Sequence, residues 1–173
     1  MIVTVLETER LRLRRPVAAD FPAYARMWAD PDVTRFINGA PLSEEDAWAK
    51  FMRAFGHWEL VGYGFWTVEE KIGGLRVGET GFLDVRREIE PSLNGIPEIG
   101  WAFAKSAQGK GYATEAARAA LGWGEARFGK VRFACIIAPE NAASLRVAAK
   151  TGFREAARTT YKGEPTVMLY RDP

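Results

Sequence analysis

The sequence predicts a single α/β or α+β domain, spanning residues 1–173, in which helices pack on one central sheet. Segments with strand and helix patterns follow each other in the order β-αα-βββ-α-β-α-ββ, which is typical of a layered fold. A content of 47% hydrophobic and 27% charged residues suits a chain that buries a sizeable core. No repeat, low-complexity stretch or linker divides the chain.

The first part of the chain reads as a strand followed by two helices. Residues 6–16 alternate leucine with charge, which indicates a half-exposed strand near a sheet edge. Asp20 is expected to cap the first helix, and Ser43 to cap a second helix that ends near Phe55. The aromatic side chains of these two helices either form ordinary core or line a pocket for the molecule on which the protein acts. They are Trp28, Phe36, Trp48, Phe51 and Phe55.

The remaining elements alternate between strands and helices. Residues 61–69 and 75–85 alternate as two strands around a Gly-Gly turn, and a polar loop covers residues 86–97. Further elements are expected as a strand from Glu98, a helix to about residue 128, a strand at 131–137, a helix that Asn141 opens, and a final hairpin at 153–170.

Composition and charge exclude several classes of function. A net charge of +2, with acidic and basic residues interspersed, gives no basic stripe for a nucleic acid. No stretch reaches the length of a membrane span, and residues 1–5 do not resemble a signal peptide, so we expect a cytoplasmic protein. One histidine, His57, and one cysteine, Cys135, cannot build a metal site. We expect a structural or exposed histidine and a buried thiol.

The segment from residue 98 to 128 is the strongest functional signal. It predicts a strand, a turn containing Gly109, Lys110 and Gly111, and an alanine-rich helix. This order presents free backbone N–H groups to an anion, so a phosphate-bearing ligand is expected. The segment lacks the residues of a P-loop, and it departs from the dinucleotide fingerprint at Thr114.

The pattern Gln108-x-x-Gly111-x-Ala113 resembles the acetyl-coenzyme A motif of the GNAT family of N-acetyltransferases. Five stretches match the RimJ/RimL-like branch of that family, in the family's order. They are T-E-R-L-R-L-R at 8–14, V-G-E-T-G-F at 77–82, G-K-G-Y-A-T-E-A at 109–116, N-A-A-S at 141–144 and K-T-G-F at 150–153. The resemblance implies a mixed, mostly antiparallel sheet of six to seven strands, splayed in the middle, with about four helices.

The resemblance also implies how acetyl-CoA, the co-substrate, is bound. The backbone of Ala102, Phe103 and Ala104 guides the pantetheine, Asn141 contacts it, and Ser144 lies near the thioester sulfur. Amides at the start of a helix suit the pyrophosphate, because the helix dipole favours negative charge there. The residues expected in that turn are Gln108, Gly109, Lys110, Gly111, Tyr112 and Ala113.

Acetyl transfer to an amine needs a base for the amine and a proton donor for the thiolate. Glu98 is the first candidate base and Glu79 the second, although either is equally expected as a paired surface charge. Many GNAT enzymes donate the proton from a tyrosine, whose position here is Ala148, so the resemblance moves that role to Ser144.

The predicted activity is direct transfer to a primary amine, either a protein N-terminus or a small molecule, in a ternary complex without a metal. The specific acceptor and a homodimer are left open. Two other possibilities are a catalytically inactive acyl-CoA sensor and a nucleotide-binding domain with a different phosphate ligand.

Overall fold

The computed structural model describes residues 5–173. Residues 1–4, which contributed to the expectation of no signal peptide, lie outside that range. The strands are β1 (Val5–Glu7), β2 (Leu11–Arg14), β3 (Phe65–Glu70), β4 (Arg76–Leu83), β5 (Glu98–Phe103), β6 (Phe133–Ile137), β7 (Arg154–Tyr161) and β8 (Glu164–Arg171). The α-helices are α1 (Phe21–Trp28), α2 (Pro31–Thr34), α3 (Glu44–Val61), α4 (Tyr112–Phe128) and α5 (Ala142–Lys150).

The strands form one open sheet in the order β1-β2-β3-β4-β5-β6-β8-β7. All neighbours are antiparallel except β5 and β6, which are parallel because α4 provides the crossover between them. The β5–β6 ladder has a single residue pair, Glu98 with Ala134, at the start of both strands. Beyond that pair the strands separate, so the predicted mixed, mostly antiparallel sheet with a central splay is confirmed.

The N-terminal segment gives one strand more than expected. Residues 6–16 were predicted as one strand, but Thr8 turns the chain within them, since its hydroxyl oxygen accepts from the Leu11 N–H at 2.9 Å. A further short helix, α2, forms because the Asp30 side chain accepts from the Asp32 N–H and Pro31 occupies the first turn. Eight strands and five helices therefore lie within residues 5–173.

The first predicted helix cap is wrong and the second is confirmed. The Asp20 carboxylate makes no cap bond to α1, because it pairs with Arg14 and accepts from the Val17 N–H. Ser43 does cap α3. That helix runs to Val61 rather than ending near Phe55, since the first stop signal is Gly62, which is left-handed at φ 77°.

The main core lies between the sheet and α4. Ala116, Ala117 and Ala120 are completely buried there, as their helical spacing predicted. Small residues bring this helix close to the sheet: a Cβ added to Gly124 would lie 2.5 Å from the Phe82 ring. Any larger residue at 124 would therefore displace Phe82, whose burial stabilises the fold by about 1.5–3 kcal/mol.

A second apolar cluster lies on the opposite face of the sheet, under α1 and α3. Trp28 and Phe51 are buried in it together with Tyr24 and Ala102. They are therefore core side chains, whereas Trp48 remains 47% exposed. Within residues 5–173 no helix combines the length and the apolar character that crossing a membrane requires.

Candidate active site

The N-terminus of α4 is exposed and has no side-chain cap. Gly111 occupies the cap position with φ 81°, and no side chain hydrogen-bonds there. Gly109 is also left-handed, at φ 78°, a conformation that other residues adopt at a cost. Because the first N–H groups of a helix have no acceptor within it, they remain free for an anion.

Two basic side chains border this turn. The Lys110 ammonium lies 3.6 Å from Glu70. Arg10, which lies within the Thr8 turn, donates to the Lys110 carbonyl at 2.9 Å and is held by Glu115. Sequence reasoning treated residues 8–14 as part of an edge strand and as a family match, and gave them no part in the site. The basic residue Arg10 could have suggested a cationic side chain beside the turn. Its partner Glu115 lies 105 residues away in the sequence, so no local pattern linked the two.

The strand β5 leaves one backbone edge open beside this turn. The Ala104 N–H donates to the Val77 carbonyl of β4 at 2.9 Å. The N–H of Ala104 therefore points toward β4 rather than toward the splay. Strand alternation then directs the N–H groups of Trp101 and Phe103 toward the splay. The Phe103 carbonyl accepts from the Gln108 side chain at 3.2 Å. An extended polar chain entering the splay would meet Trp101 and Phe103 first, with Ala102 beside them.

The start of α5 faces the same opening from β6. Asn141 is its N-cap, since the side-chain oxygen accepts from the Ser144 N–H at 3.1 Å. The Ser144 hydroxyl oxygen accepts from the Trp101 indole N–H at 3.2 Å. Because an indole nitrogen can only donate, the serine keeps its own hydrogen free. A bond between β5 and α5 therefore holds a hydroxyl at the splay.

The two candidate carboxylates lie on the face of the sheet under α1 and α3. Glu79 and Ala102 are opposite each other on β4 and β5, and Glu98 shares that face with Ala102 by strand alternation. Both carboxylates are buried, at 5% and 6% exposure for Glu79 and Glu98. Neither is the paired surface charge that was the alternative expectation.

Each carboxylate has an arginine partner, but the pairs differ. Both oxygens of Glu98 bind the Arg87 guanidinium, at 2.7 Å and 2.6 Å. Glu79 binds Arg76 through one oxygen, at 3.1 Å. Burial raises the pKa of Glu79, and the charges of Arg76 and Lys50 only partly oppose that effect. Sequence reasoning missed both arginines, because partners on a sheet or in a loop follow no fixed spacing.

His57 and Cys135 are both structural. The His57 Nδ1 lies 2.7 Å from the Tyr63 carbonyl oxygen, and its Nε2 accepts from the Asp84 N–H at 2.8 Å. Both ring nitrogens are therefore occupied, Nδ1 by the segment between α3 and β3 and Nε2 by the loop after β4. Cys135 is buried in β6, as predicted, and burial raises the pKa of its thiol far above the ordinary value.

Comparison with known proteins identifies the kind of fold that carries this site. The family model described as the acetyltransferase (GNAT) domain matches residues 10–154. The uncharacterized protein YkkB of Bacillus subtilis is 35% identical, with 96% of this chain and 94% of that protein covered. A solved GNAT-family protein from Bordetella pertussis is 31% identical, with a TM-score of 0.83, and 96% and 98% of the two chains are covered.

A more distant solved structure shares only the fold. It is RimL, named as a ribosomal L7/L12 α-N-protein acetyltransferase in complex with coenzyme A. Its identity to this chain is 20%, with a TM-score of 0.76 and 97% of each chain covered.

Proposed function

The chain belongs to the GNAT family of acetyltransferases, and on that premise we propose that it transfers the acetyl group of acetyl-CoA to a primary amine by direct attack in a ternary complex. The acceptor is a protein N-terminus or a small-molecule amine. The observation that carries the proposal is the uncapped, glycine-lined start of α4, which lies beside a splay that Ser144 faces from the other side.

The residues around the splay fit coenzyme A chemically. Its diphosphate needs several N–H donors and no bulk above them, which the turn from Gln108 to Ala113 offers. Its pantetheine is an amide chain that can pair with an open strand edge, and β5 has such an edge at Trp101 and Phe103. Acetyl-CoA supplies the activated acetyl group and the thiolate leaving group.

Ser144 is the proposed hydrogen-bond donor to the departing sulfur. Its hydroxyl oxygen already accepts from Trp101, so its hydrogen is directed away from the indole. The first turn of α5 adds a partly positive environment for a thiolate. Ala148 occupies the position of the tyrosine that many relatives use, which supports the finer assignment to the RimJ/RimL-like branch.

Glu79 is the stronger candidate base. An amine attacks only after losing its proton, and a carboxylate with a raised pKa accepts that proton more readily than an exposed one. Glu79 also has one oxygen outside its pair with Arg76. Glu98, the first candidate from sequence, must release one of its two bonds to Arg87 before it can act.

No covalent acetyl-enzyme is proposed. Cys135 is 2% exposed within β6, and its raised pKa keeps it as the unreactive thiol. Direct attack therefore needs only the amine, the thioester and the groups named above. A cytoplasmic location and a homodimer stay predictions.

Incubation of the purified protein with acetyl-CoA and a panel of amines tests the proposal. Coenzyme A should be released only when an acceptor is present, and mass spectrometry should find one added acetyl group on the amine. If Glu79 is the base, kcat/KM should fall at low pH, and Glu79→Gln should lower it by ~100-fold. The isosteric Glu98→Gln variant is the matched control.

Two results would contradict the proposal. Release of coenzyme A at the same rate with and without amines would mean hydrolysis rather than transfer. Tight binding of coenzyme A without acetylation of any amine would favour a sensor. Thermal melting of both variants is needed, because removing one partner of a buried ion pair costs about 3–5 kcal/mol.

A further inference from the structure

The Arg10 guanidinium is held against the start of α4. Its Nε donates to the Glu115 Oε2 at 2.7 Å, and its Nη1 donates to the Lys110 carbonyl at 2.9 Å. Its Nη2 lies 2.6 Å from the Glu115 Oε2, and 3.5 Å from the place that a Cβ on Gly111 would occupy. The charged end of Arg10 is therefore in contact distance of the residue at which α4 begins.

The backbone that carries Arg10 is attached to the same carboxylate. The Glu115 Oε1 accepts from the Arg10 backbone N–H at 2.9 Å and from the Thr8 hydroxyl at 2.6 Å. The centre of the Tyr112 ring lies 4.7 Å from the guanidinium carbon, so an aromatic face also restricts the side chain. Because ordering an arginine costs rotamer freedom, a guanidinium that is already fixed loses less when a ligand arrives.

The guanidinium keeps hydrogens that a ligand can use. Each of its terminal nitrogens carries a pair of hydrogens, and a guanidinium has no acceptor of its own. Among residues 5–173, Nη1 has one contact, to the Lys110 carbonyl, and Nη2 has one, to Glu115. One N–H on each nitrogen therefore stays available.

The case for a ligand rests on these free donors, since the charges around the turn balance. Glu115 accompanies Arg10, and Glu70 lies 3.6 Å from the Lys110 ammonium. Both oxygens of Glu115 are already engaged by the Thr8 turn. The carboxylate nearest the start of α4 is therefore satisfied, whereas the guanidinium beside it still has donors.

The backbone of α4 adds free donors at the same place. The first helical bond runs from the Glu115 N–H to the Gly111 carbonyl at 3.1 Å. The N–H groups of Tyr112, Ala113 and Thr114 precede it, so they have no acceptor within the helix. A phosphate oxygen bound by these N–H groups would lie close to a fixed guanidinium, which is the side chain best suited to phosphate.

Arg10 lies far from the reacting end of acetyl-CoA. It comes from the turn between β1 and β2, whereas the splay that receives the thioester lies between β5 and β6, beyond β3 and β4 in the sheet. The side chain is thus placed to contact the phosphate end of the cofactor and not its sulfur.

We propose that Arg10 binds a phosphate group of coenzyme A and makes the protein prefer the whole cofactor to a thioester without phosphates. Glu115 is the positioning residue that holds Arg10 for this contact. The inference rests on the proposed acetyl transfer, which takes acetyl-CoA as donor, and it adds a binding residue from outside the turn at 108–113. Coenzyme A offers two sources of phosphate, the diphosphate and the 3′-phosphate.

Binding of coenzyme A and of pantetheine, which has no phosphate, tests the proposal. We expect Arg10→Gln to weaken coenzyme A binding about tenfold in calorimetry, within the range of a hydrogen bond to a charged group. Pantetheine should bind the variant as it binds the wild type, which also shows that the variant is folded. Unchanged coenzyme A affinity, or an equal loss for both ligands, would overturn the proposal.

Dephospho-coenzyme A separates the two sources of phosphate, because it keeps the diphosphate and lacks the 3′-phosphate. A tenfold loss in Arg10→Gln that persists with this ligand identifies the diphosphate as the partner of Arg10. A loss that appears only with coenzyme A identifies the 3′-phosphate.

Two further variants distinguish a specific contact from a general effect of charge. Arg12→Gln is the matched control: Arg12 is about as exposed as Arg10, at 51% against 45%, and its ion pair is with Glu7. It should keep the wild-type affinity for coenzyme A, and a tenfold loss there would overturn the proposal. Arg10→Lys should recover part of the affinity, since an ammonium can still donate to phosphate without the planar fork.

A double variant tests whether Arg10 acts only by neutralising Glu115. Without Arg10, the Glu115 carboxylate would repel a phosphate, and Glu115→Gln removes that repulsion while keeping an acceptor oxygen for Thr8. If Arg10 contacts phosphate, Arg10→Gln combined with Glu115→Gln should remain about tenfold weaker than the wild type. Wild-type affinity of the double variant would overturn the contact.

The kinetics of acetyl transfer give a second readout. Arg10→Gln should raise the KM for acetyl-CoA about tenfold with kcat nearly unchanged, because a contact remote from the thioester is made equally in the ground state and in the transition state. A fall in kcat without a change in KM would overturn the proposal. If no amine is acetylated, the proposed function fails, and the comparison of coenzyme A with pantetheine still decides the role of Arg10.

Discussion

The helices α4 and α5 each follow one of the two splayed parallel strands, yet their N-termini are built differently. At α5 the Asn141 side chain accepts from the Ser144 N–H at 3.1 Å. At α4 the corresponding position is Gly111, and no side chain caps the helix. One N-terminus is closed by its own side chain, and the other leaves its N–H groups available to a ligand.

The difference indicates that similar helix ends have different tasks. A ligand with two phosphate groups needs several free donors, and a side-chain cap would compete for them. A hydroxyl that must point at one reacting atom needs a fixed position instead. Ser144 has that position, since its N–H is capped by Asn141 and its oxygen is held by Trp101. The open N-terminus of α4 is suited to bind a ligand, and the capped N-terminus of α5 holds the Ser144 hydroxyl in a fixed orientation.

A negative charge at the open end should have the largest effect. We expect Gly111→Glu to weaken coenzyme A binding by at least ~100-fold in calorimetry, because like charges at a binding site cost several kcal/mol. Gly111→Ala is the matched control, since it imposes the same backbone strain, about 1–2 kcal/mol for a left-handed position, without the charge. Near-equal affinity of both variants would show that backbone strain, rather than the anion, explains any loss.

The open end was readable from sequence because glycines report backbone requirements directly. Gly109 and Gly111 are both left-handed, and the alanine spacing of α4 matched its buried face. The capped end was predicted only in part. Asn141 was expected as the cap, but the hydrogen bond from the Trp101 indole to Ser144 was not. Trp101 and Ser144 are 43 residues apart, and only the packing of β5 against α5 brings them together.

In the rest of the fold, too, most local sequence signals were read correctly, whereas contacts between residues distant in the sequence were missed. Local signals located the hairpin at Gly73-Gly74, the loop at 86–97 and the start of β5 at Glu98. They failed at Asp20, where the Arg14 guanidinium competes successfully for the carboxylate. They also missed the Arg76–Glu79 and Arg87–Glu98 pairs, because charge partners depend on which strands and loops meet.

Removal of the hydroxyl at the capped end should have the next largest effect. We expect Ser144→Ala to lower kcat by ~100-fold, within the range that proton-transfer groups contribute, with the affinity for coenzyme A nearly unchanged. Ser144→Thr keeps a hydroxyl and should restore part of the rate. Trp101→Phe removes the indole donor and should cost less than Ser144→Ala. An unchanged kcat in Ser144→Ala would remove this residue from the reaction.

The smallest effect is expected from opening the capped end. Asn141→Ala removes the acceptor for the Ser144 N–H and should destabilise the protein by about 1 kcal/mol, or ~2–4 °C in Tm for a chain of this size. Asn141→Asp keeps a cap acceptor but loses the amide donor. It should therefore retain the stability of the wild type and lose coenzyme A affinity only if the Asn141 amide binds the pantetheine. If Asn141→Asp keeps full affinity for coenzyme A, Asn141 acts only as a cap. The start of α4 would then bind the ligand, and the start of α5 would only orient Ser144.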